Sequence, residues 1–375
     1  MHLPLPARYL RLVAPAAVAG VIALVAWVPT LPAGASPRLP ALSPQQLLVK
    51  AETARVPGLT GTVEWSADLG LPSLGSLGAS GAASQGFDPT SLLSGTHQID
   101  VWDSGANQQR LALPRTLGET DLVRHGDQAW VYDSATQKVT HLVPASGATT
   151  PGATVPARPA STFPPLTPDQ VALRLLDHLA SSTSVTVSPS IRVAHRPAYV
   201  LSVAPAPGTP GAAVSTVGRI TVAVDAATGM PLQVQVFARG QTAPALSIGY
   251  SSVNFGVPNA SELAVPTGTT EVTTVIGSHF GKGGPIPLLP GTTSGPAGGP
   301  RVTGGPWAQV VSFGTTTSAA RVLQQAERLA TPVRGAFGQA RLLQSSLVNV
   351  LFLPGGHVLA GFVMPGALEA AAPAG

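Results

Sequence analysis

The stretch ITVAVDAATGMPLQVQV, residues 220–236, decides the fold class of this chain. In both halves of the stretch, apolar side chains alternate with polar or small ones, and this period of two is typical of a half-buried strand. Between the halves, Asp225 and Gly229 favour a tight turn. The stretch therefore predicts an antiparallel β-hairpin, and further strands are expected on either side of it, at residues 198–203 and 245–255.

The N-terminal half of the chain predicts more strands of the same kind. Residues 62–69 alternate in the same way, and short turns separate the strands that follow. Connections this short join antiparallel neighbours, because a parallel pair needs a crossover of a dozen or more residues. The further strands are expected at residues 97–102, 109–113, 120–124, 129–132 and 139–143.

Two helices are predicted before and between these groups of strands. Ser43 and Thr167 are each followed by proline and, three residues after the hydroxyl, by glutamine. A hydroxyl N-cap, proline at the first helical position and glutamine at the third form the pattern of a capping box. Together with the strands, these helices predict an α+β fold built on a large antiparallel sheet.

The composition excludes several classes of protein. Apolar residues make up 44% of the 375 residues and charged residues only 10%, and the formal net charge is +4. Two of the positive charges, Arg8 and Arg11, lie in the N-terminal segment, so the remainder carries too little positive charge for a nucleic-acid binder. The chain has no cysteine, which excludes disulfides, cysteine-ligated zinc, iron–sulfur clusters and a lipid-modified N-terminal cysteine.

Residues 1–35 have the features of a bacterial signal peptide. Arg8 and Arg11 precede an uncharged run at residues 13–28, and a small-residue pattern that ends at Ala35 forms a cleavage site. We expect cleavage after Ala35 and an exported, extracytoplasmic protein, either secreted or held in the cell envelope. The alternative is a retained N-terminal membrane anchor, because the uncharged run is only slightly shorter than a membrane span of about 20 residues. Contact with a membrane surface is compatible with both.

The remainder of the chain divides into a large and a small part. Residues 41–272 hold the strands and helices described above and are expected to form one large domain. Within it, residues 70–95 are an insertion rich in glycine and leucine. Residues 281–306 are rich in glycine and proline and predict a linker. Beyond the linker, residues 307–370 predict a small α+β module with a strand, a helix and a final hairpin.

No motif of the chain predicts catalysis. The sequence contains no nucleophile elbow, no zinc-protease helix motif and no dinucleotide-binding fingerprint. Residues 277–282 resemble a phosphate-binding loop, but the spacing is one residue short and Gly283 stands where a magnesium-binding Ser or Thr is required. The eight histidines have no metal-ligand spacing. We therefore expect no enzyme, with no catalytic residue, metal or cofactor; the alternative is a hydrolase whose paired carboxylates meet only in the folded chain.

The hairpin and the strand after it carry a resemblance to a known family. Residues 222–234 resemble the LolA/LolB/RseB superfamily, in which a strand that ends in Asp, a Thr-Gly turn and a Pro-Leu-x-Val strand are common. Residues 250–258 and 265–268 are similar to the last strand of that superfamily and to its terminating Pro-x-Gly. The similarity is to actinobacterial members of the LolA-like carrier or sigma-factor-regulator type; it covers about residues 41–272 and extends more loosely through the C-terminal module. It implies a strongly curved, incomplete β-barrel, with helices plugging its open side and a cavity for acyl chains or a lipidated protein.

The resemblance implies a lipoprotein carrier or lipid-binding protein whose apolar ligand is a lipid or the acyl chains of a lipoprotein. The ligand is expected to lie against the apolar faces of the N-terminal strands, with the insertion closing over it. The expected ligand-binding residues are Val63, Trp65, Ile99, Val101, Leu111 and Leu113 in the strands and Leu74, Leu77, Phe87 and Leu92 in the insertion. For each strand residue, ordinary core packing is the alternative. The alternative function is an RseB-like sensor of envelope stress, in which the small module contacts an anti-sigma factor.

Overall fold

Two β-sheets form the framework of the protein. The structure, a computed structural model, describes residues 37–71, 92, 94–105, 108–115, 118–126, 128–144, 167–176, 182–268, 270–276, 301–314 and 320–373. From Arg38 onwards the chain forms one compact unit. None of the helices built from these residues has the length and hydropathy of a membrane span.

The larger sheet contains both groups of expected strands. Its strands are β1 (Leu59–Ala67), β2 (Gly95–Asp103), β3 (Gln108–Arg115), β4 (Gly118–His125), β5 (Gln128–Asp133), β6 (Lys138–Pro144), β7 (Thr183–Val193), β8 (Arg196–Pro205), β9 (Val217–Asp225), β10 (Pro231–Ala238), β11 (Leu246–Phe255) and β12 (Thr270–Ile276). Their order in the sheet is β12-β6-β5-β4-β3-β2-β1-β11-β10-β9-β8-β7. β1 pairs antiparallel with β11 along its whole length. This pairing joins the N-terminal strands and the central hairpin in a single sheet.

The large sheet is strongly curved and does not close. β7 and β11 contact each other although three strands lie between them in the sheet order. This half of the sheet therefore curls into an incomplete barrel. β7 and β12 are its two edges, and no pairing between described residues joins them. All neighbouring strands are antiparallel except β6 and β12. This architecture confirms the expected α+β class with a curved, unclosed antiparallel sheet.

The pleat of the strands gives the large sheet an apolar inner face. Val63 lies opposite Ile99, and Leu201 lies opposite Val222, and all four side chains are fully buried on this face. Alternate residues such as Glu64 point to the outer face and are exposed. The alternation in the sequence therefore marks the inside and the outside of one curved layer.

Two helices pack on the inner face. α1 (Pro44–Thr53) contacts β7 and β8, and α2 (Pro168–Leu176) contacts β10 and β11. α1 begins with the expected capping box, in which the Gln46 backbone N–H donates to Ser43 Oγ and the Ser43 backbone N–H donates to Gln46 Oε1. The prediction of a second capping box at α2 is wrong. The buried Thr167 Oγ1 has no hydrogen-bond partner, so it does not accept the backbone N–H that a capping box requires. The Gln170 side chain donates to Gln109 Oε1 on β3.

The C-terminal part of the chain forms the smaller sheet. Its strands are β13 (Arg301–Thr303), β14 (Val310–Gly314), β15 (Thr331–Gly335), β16 (Gly338–Leu343), β17 (Asn349–Leu353) and β18 (His357–Gly361), in the order β13-β14-β18-β17-β16-β15. The remaining helices are α3 (Pro210–Val214), between β8 and β9, and α4 (Ala320–Leu329) and α5 (Pro365–Ala370), which pack on the smaller sheet. The expected strand, helix and hairpin appear at β14, α4 and β17–β18. β13 lies inside the stretch expected to be a linker, so the smaller sheet includes residues 301–303 of that stretch.

Backbone hydrogen bonds join the small module to the large sheet. The Thr216 N–H donates to the Phe362 carbonyl at 2.9 Å, and the Met364 N–H donates to the Val214 carbonyl at 2.7 Å. Nearby, the Trp307 indole N–H donates to Thr183 Oγ1, at the start of the edge strand β7. The small module is therefore docked on the large sheet as well as connected to it through the chain.

The chain between β11 and β12 crosses the outer face of the large sheet. Leu263, in this segment, is buried, and its carbonyl lies 2.8 Å from His125 Nε2 on β4. The Glu262 carbonyl accepts a hydrogen bond from Arg110 on β3. This segment covers part of the outer face. The concave, inner face of β1–β5 lies on the opposite side of the same strands.

Candidate functional site

The six strand residues expected to bind an apolar ligand lie together on the inner face. Val63 is opposite Ile99, and Val101 is opposite Leu111, so neighbouring strands place these side chains side by side. They belong to one cluster of core side chains, called the main core below. Each of the six is at most 9% exposed: Val63, Trp65, Ile99, Val101, Leu111 and Leu113. Their role as ligand contacts stays a prediction.

One of the insertion residues named from the sequence also lies in the main core. Leu92 is 3% exposed, and its carbonyl accepts a hydrogen bond of 2.7 Å from the Trp65 indole N–H. Trp65 thus combines an apolar ring on the inner face with a polar atom that fixes the end of the insertion. Leu74, Leu77 and Phe87 lie outside the described residues.

The two helices leave part of the inner face to other chain segments. α1 and α2 make their sheet contacts mainly with β7, β8, β10 and β11. The apolar side chains of β1–β3 therefore lie beside the region that the helices plug. Leu122 on β4 and Val131 on β5 face each other and continue this apolar surface with half-buried side chains. We call the apolar side chains of this surface the apolar strip: Val63, Trp65, Ile99, Val101, Leu111, Leu113, Leu122 and Val131.

A polar cluster marks one end of the apolar strip, where α2 begins. Tyr250 is buried next to Val63, and its hydroxyl donates to Asp169 Oδ1 at 3.5 Å. Asp103, at the end of β2, accepts hydrogen bonds from the Gly105 N–H at 2.6 Å and from the Gln109 amide at 3.2 Å. These groups give the strip one polar end beneath the N-terminus of α2.

Burial controls the protonation of this polar cluster. Burial, with a smaller contribution from the nearby Asp169 carboxylate, raises the pKa of Asp103 from 3.8 to about 6. Burial also raises the pKa of Tyr250 well above its usual value, and the carboxylates of Asp169 and Asp103 add to this shift. Tyr250 is therefore a neutral donor at every physiological pH, while Asp103 changes its charge in the mildly acidic range.

The opposite end of the apolar strip is closed by the small module. Leu347, in the loop between β16 and β17, is fully buried and belongs to the main core. Its carbonyl accepts a hydrogen bond from the Thr216 hydroxyl, and the N–H of its neighbour Ser346 donates to the Leu69 carbonyl at 2.9 Å. This end therefore has a buried leucine inside, and backbone and hydroxyl groups form the hydrogen bonds described at its rim.

The turn of the hairpin that decided the fold supports α1. Arg196 donates to both carboxylate oxygens of the fully buried Asp225, at 2.7 and 3.0 Å, and the Thr228 N–H and hydroxyl donate to the same carboxylate. Gly229 has φ +80°, and a Cβ there would lie 2.6 Å from the Lys50 carbonyl of α1. Glycine is needed at position 229 because the turn is both left-handed there and in close contact with the helix.

The outer face carries another buried acid, Asp121, which no motif of the sequence singled out. Arg110 forms a salt bridge of 2.9 Å with Asp121 and lies over the Trp102 ring. Burial raises the pKa of Asp121 to about 6, with the nearby Glu119 carboxylate adding to the rise and Arg110 opposing it. Since Arg110 also bonds to the segment that covers this face, the cluster holds that segment to the sheet.

An aromatic group lies beside it on the same face. The Trp130 ring stacks on His141 with a centroid separation of 4.7 Å and meets His125 edge-on at 5.5 Å. Within the described residues, no group of three or more His, Cys, Asp or Glu side chains has the arrangement of a metal site. The geometry on this face is that of packing against the covering segment.

Comparison with known proteins finds similarity at the level of solved structures. No protein-family model matches the chain, and no curated protein matches it. The chain is similar to the Pseudomonas aeruginosa MucA/MucB complex structure, with 16% identity over 88% of this chain and 95% of the other and a TM-score of 0.39.

Two other matches cover less of the chain. A LolA superfamily protein from Nitrosomonas europaea has 12% identity over 60% of this chain and 99% of its own, with a TM-score of 0.21. A DUF1329 family protein from Desulfovibrio piger has 12% identity over 59% of this chain and 98% of its own, with a TM-score of 0.24. Identities and TM-scores this low transfer no function.

Proposed function

We propose that this protein is an extracytoplasmic, non-enzymatic carrier that holds an apolar ligand, a lipid or the acyl chains of a lipoprotein, on the apolar strip. The observation that carries the proposal is that these apolar side chains line one curved inner face, whose β1–β3 part lies next to the strands that the two helices mainly contact. An extended apolar concave surface is the usual feature of a site that binds an apolar molecule. Core residues such as Val101 and Leu111 would then form the floor of the site.

The two ends of the strip favour an amphiphilic ligand. The polar group of the ligand would lie near Tyr250 and Asp103, and its chain would run along β1 past Trp65. From Val63 to Leu69 the strand advances by about 20 Å, at roughly 3.3 Å per residue. Such a length accommodates an extended acyl chain, and each buried methylene contributes about 0.8 kcal/mol to binding.

The location of the protein is part of the proposal. Export would place the apolar strip in the cell envelope, where lipids and lipoproteins are the available apolar ligands. We infer that residues 1–35 act as a signal peptide and that the mature chain begins at Ser36. N-terminal sequencing of the protein from its native host tests this, and a chain that begins at Met1 would favour an anchored protein.

The docking of the small module favours a second candidate function, an RseB-like sensor that acts on an anti-sigma factor. The backbone pairing of Thr216 with Phe362 ties the small module to the strand β9 of the ligand-binding sheet. Binding on the apolar strip would then change a surface of the small module that a partner recognises. Hydrogen exchange of β16 and β17 with and without ligand distinguishes the two roles, since a simple carrier requires no change there.

The binding proposal is tested with two matched valine substitutions. Val131 on β5 lies on the inner face and Val143 on β6 lies on the outer face, and both are half-buried. Val131→Thr places a hydroxyl against the ligand and should weaken binding of a straight-chain fatty acid about fivefold. Val143→Thr should leave the affinity unchanged.

The readout is calorimetric titration of the full mature chain with palmitate. Mass spectrometry of an organic extract of the protein from its native host identifies the natural ligand. Equal affinities of the two variants, or a wild-type protein that neither binds palmitate nor retains any lipid, would contradict the proposal.

A further inference from the structure

The small module contributes one leucine to the interior of the large sheet. Leu347 is fully buried and shares the main core with Trp65 and Ala67 of β1. The neighbouring Ser346 bonds to the Leu69 carbonyl, two residues beyond the end of β1. Leu347 therefore lies in the main core, in a loop that is bonded to the chain just beyond the end of β1.

The loop that carries Leu347 is fixed by hydrogen bonds within the small module. Ser345 Oγ accepts from the backbone N–H groups of Leu347, at 3.3 Å, and Val348, at 2.8 Å. The Asn349 side chain, which is 2% exposed, accepts from the Ser345 N–H and donates to the Val363 carbonyl at 2.7 Å. Because hydrogen bonds hold the loop on both sides, the position of Leu347 is fixed.

The surroundings of Leu347 show that it acts as a cover for the sheet. Thr216, at the start of β9, donates its hydroxyl to the Leu347 carbonyl, and β1 ends on the other side of the loop. The partly buried Val348 and Phe362 pack against the same core. The small module thus closes the space between the end of β1 and the start of β9 with apolar side chains.

We propose that Leu347 is the residue that determines how long an acyl chain this protein accepts. The inference rests on the proposed function, because it concerns the end of the same apolar strip. A chain whose polar group lies near Tyr250 passes Val63, Trp65 and Ala67 in turn and then meets Leu347. The small module is in this way a wall of the binding site, and the length preference of the site is encoded outside the large domain.

The test measures affinity against chain length. Wild-type protein and Leu347→Ala are titrated calorimetrically with saturated fatty acids from octanoate to stearate. The substitution removes three carbons, so the chain length of tightest binding should increase by about three methylenes. Over that added length the affinity of the variant should rise about fourfold per methylene, where the affinity of wild type no longer rises.

The matched control is Leu351→Ala. Leu351 is also fully buried in the small module, but it belongs to the core of that module rather than to the main core. It should destabilise the module without shifting the preferred chain length. If Leu347→Ala does not fold, Leu347→Val, which removes one carbon, should shift the optimum by about one methylene.

The outcomes separate the two proposals. A wild type that binds fatty acids, with the same length optimum in the Leu347 and Leu351 variants, overturns the role of Leu347 and leaves the proposed function standing. A wild type that binds none of the acids overturns the proposed function and this inference with it.

Discussion

Replacing Arg196 with glutamine tests how the hairpin turn is held. Arg196 makes two hydrogen bonds to the fully buried carboxylate of Asp225. Removing one partner of a buried ion pair costs about 3 to 5 kcal/mol, because the other charge stays buried without compensation. The Arg196 side chain is 30% exposed, so water replaces part of the lost contact, and we expect the free energy of unfolding to fall by about 2 kcal/mol.

The matched control for this substitution is Arg219→Gln. Arg219 lies 3.6 Å from the centre of the Phe237 ring, as Arg196 lies 4.6 Å from that of Phe255, and no salt bridge of the described residues includes Arg219. Both substitutions lose a cation–π contact of about 0.5 to 1 kcal/mol. The difference between them therefore isolates the ion pair. Urea unfolding at neutral pH measures both, and equal losses would refute the reasoning.

The pH dependence of the same pair gives an independent check. Burial alone would raise the pKa of Asp225, but hydrogen bonds from Arg196 and Thr228 hold it below its usual 3.8. A lowered carboxylate pKa stabilises the folded chain fully above the unfolded value and loses that contribution as the pH falls through the folded value. The stability gap between wild type and Arg196→Gln should therefore be full at neutral pH and shrink below about pH 4. A gap that does not change with pH would assign the loss to packing.

Three further predictions follow from other parts of the structure. The pKa of Asp103 is raised from 3.8 to about 6, so stability should fall as the pH rises from about 4 to about 6, and Asp103→Asn should flatten this slope in thermal melts. Gly229→Ala should cost more than about 2 kcal/mol in urea unfolding, because it adds a clash with Lys50 to the positive φ, whereas Gly240→Ala, with φ +76° and open space, should cost about 1 kcal/mol. Expressed separately, the parts of the large sheet on either side of residues 145–166 should aggregate, because the β1–β11 pairing is lost; two soluble halves with cooperative melts would contradict this.

The large sheet could be predicted from the sequence because its signals are local. In residues 220–236 the alternation gives β9 and β10, and Asp225 and Gly229 give the turn between them. The capping box at Ser43 is local in the same sense, and it forms as expected. At Thr167 the same local pattern is present, but Thr167 Oγ1 accepts no hydrogen bond, so the local pattern alone does not ensure that the box forms.

The polar end of the strip could not be predicted, because each of its residues has an ordinary local explanation. Asp103 begins a turn, Asp169 lies in the first turn of a helix and Tyr250 lies in the middle of a strand. The pairing of β1 with both β2 and β11 brings Asp103 and Tyr250 together, and the packing of α2 on β11 adds Asp169. The raised pKa of Asp103 is therefore a property of the fold and not of its sequence neighbourhood.

The apolar end was missed for a related reason. Glycine or proline in β15 and at the start of β16 weakens the strand pattern there, and the long Gly/Pro stretch before Arg301 suggested that the small module stands apart. Leu347 has no sequence signal that separates it from any other core leucine. Its role depends on Thr216, 131 residues earlier in the chain.

The contacts around Leu347 bear on the choice between carrier and sensor. A carrier needs only a closed binding site, whereas a sensor needs a part of its structure that changes when the ligand binds. Ser346 is bonded to Leu69 and Leu347 lies in the main core, so a ligand that displaces the end of β1 must also displace this loop of the small module. A chain slightly too long for the site would exert the largest displacement. The length of the acyl chain would then decide the outcome: a ligand that fits would be carried without a change in the small module, and one that is too long would produce a signal. Hydrogen exchange at Ser346 and Leu347 should therefore increase only with the longer fatty acids.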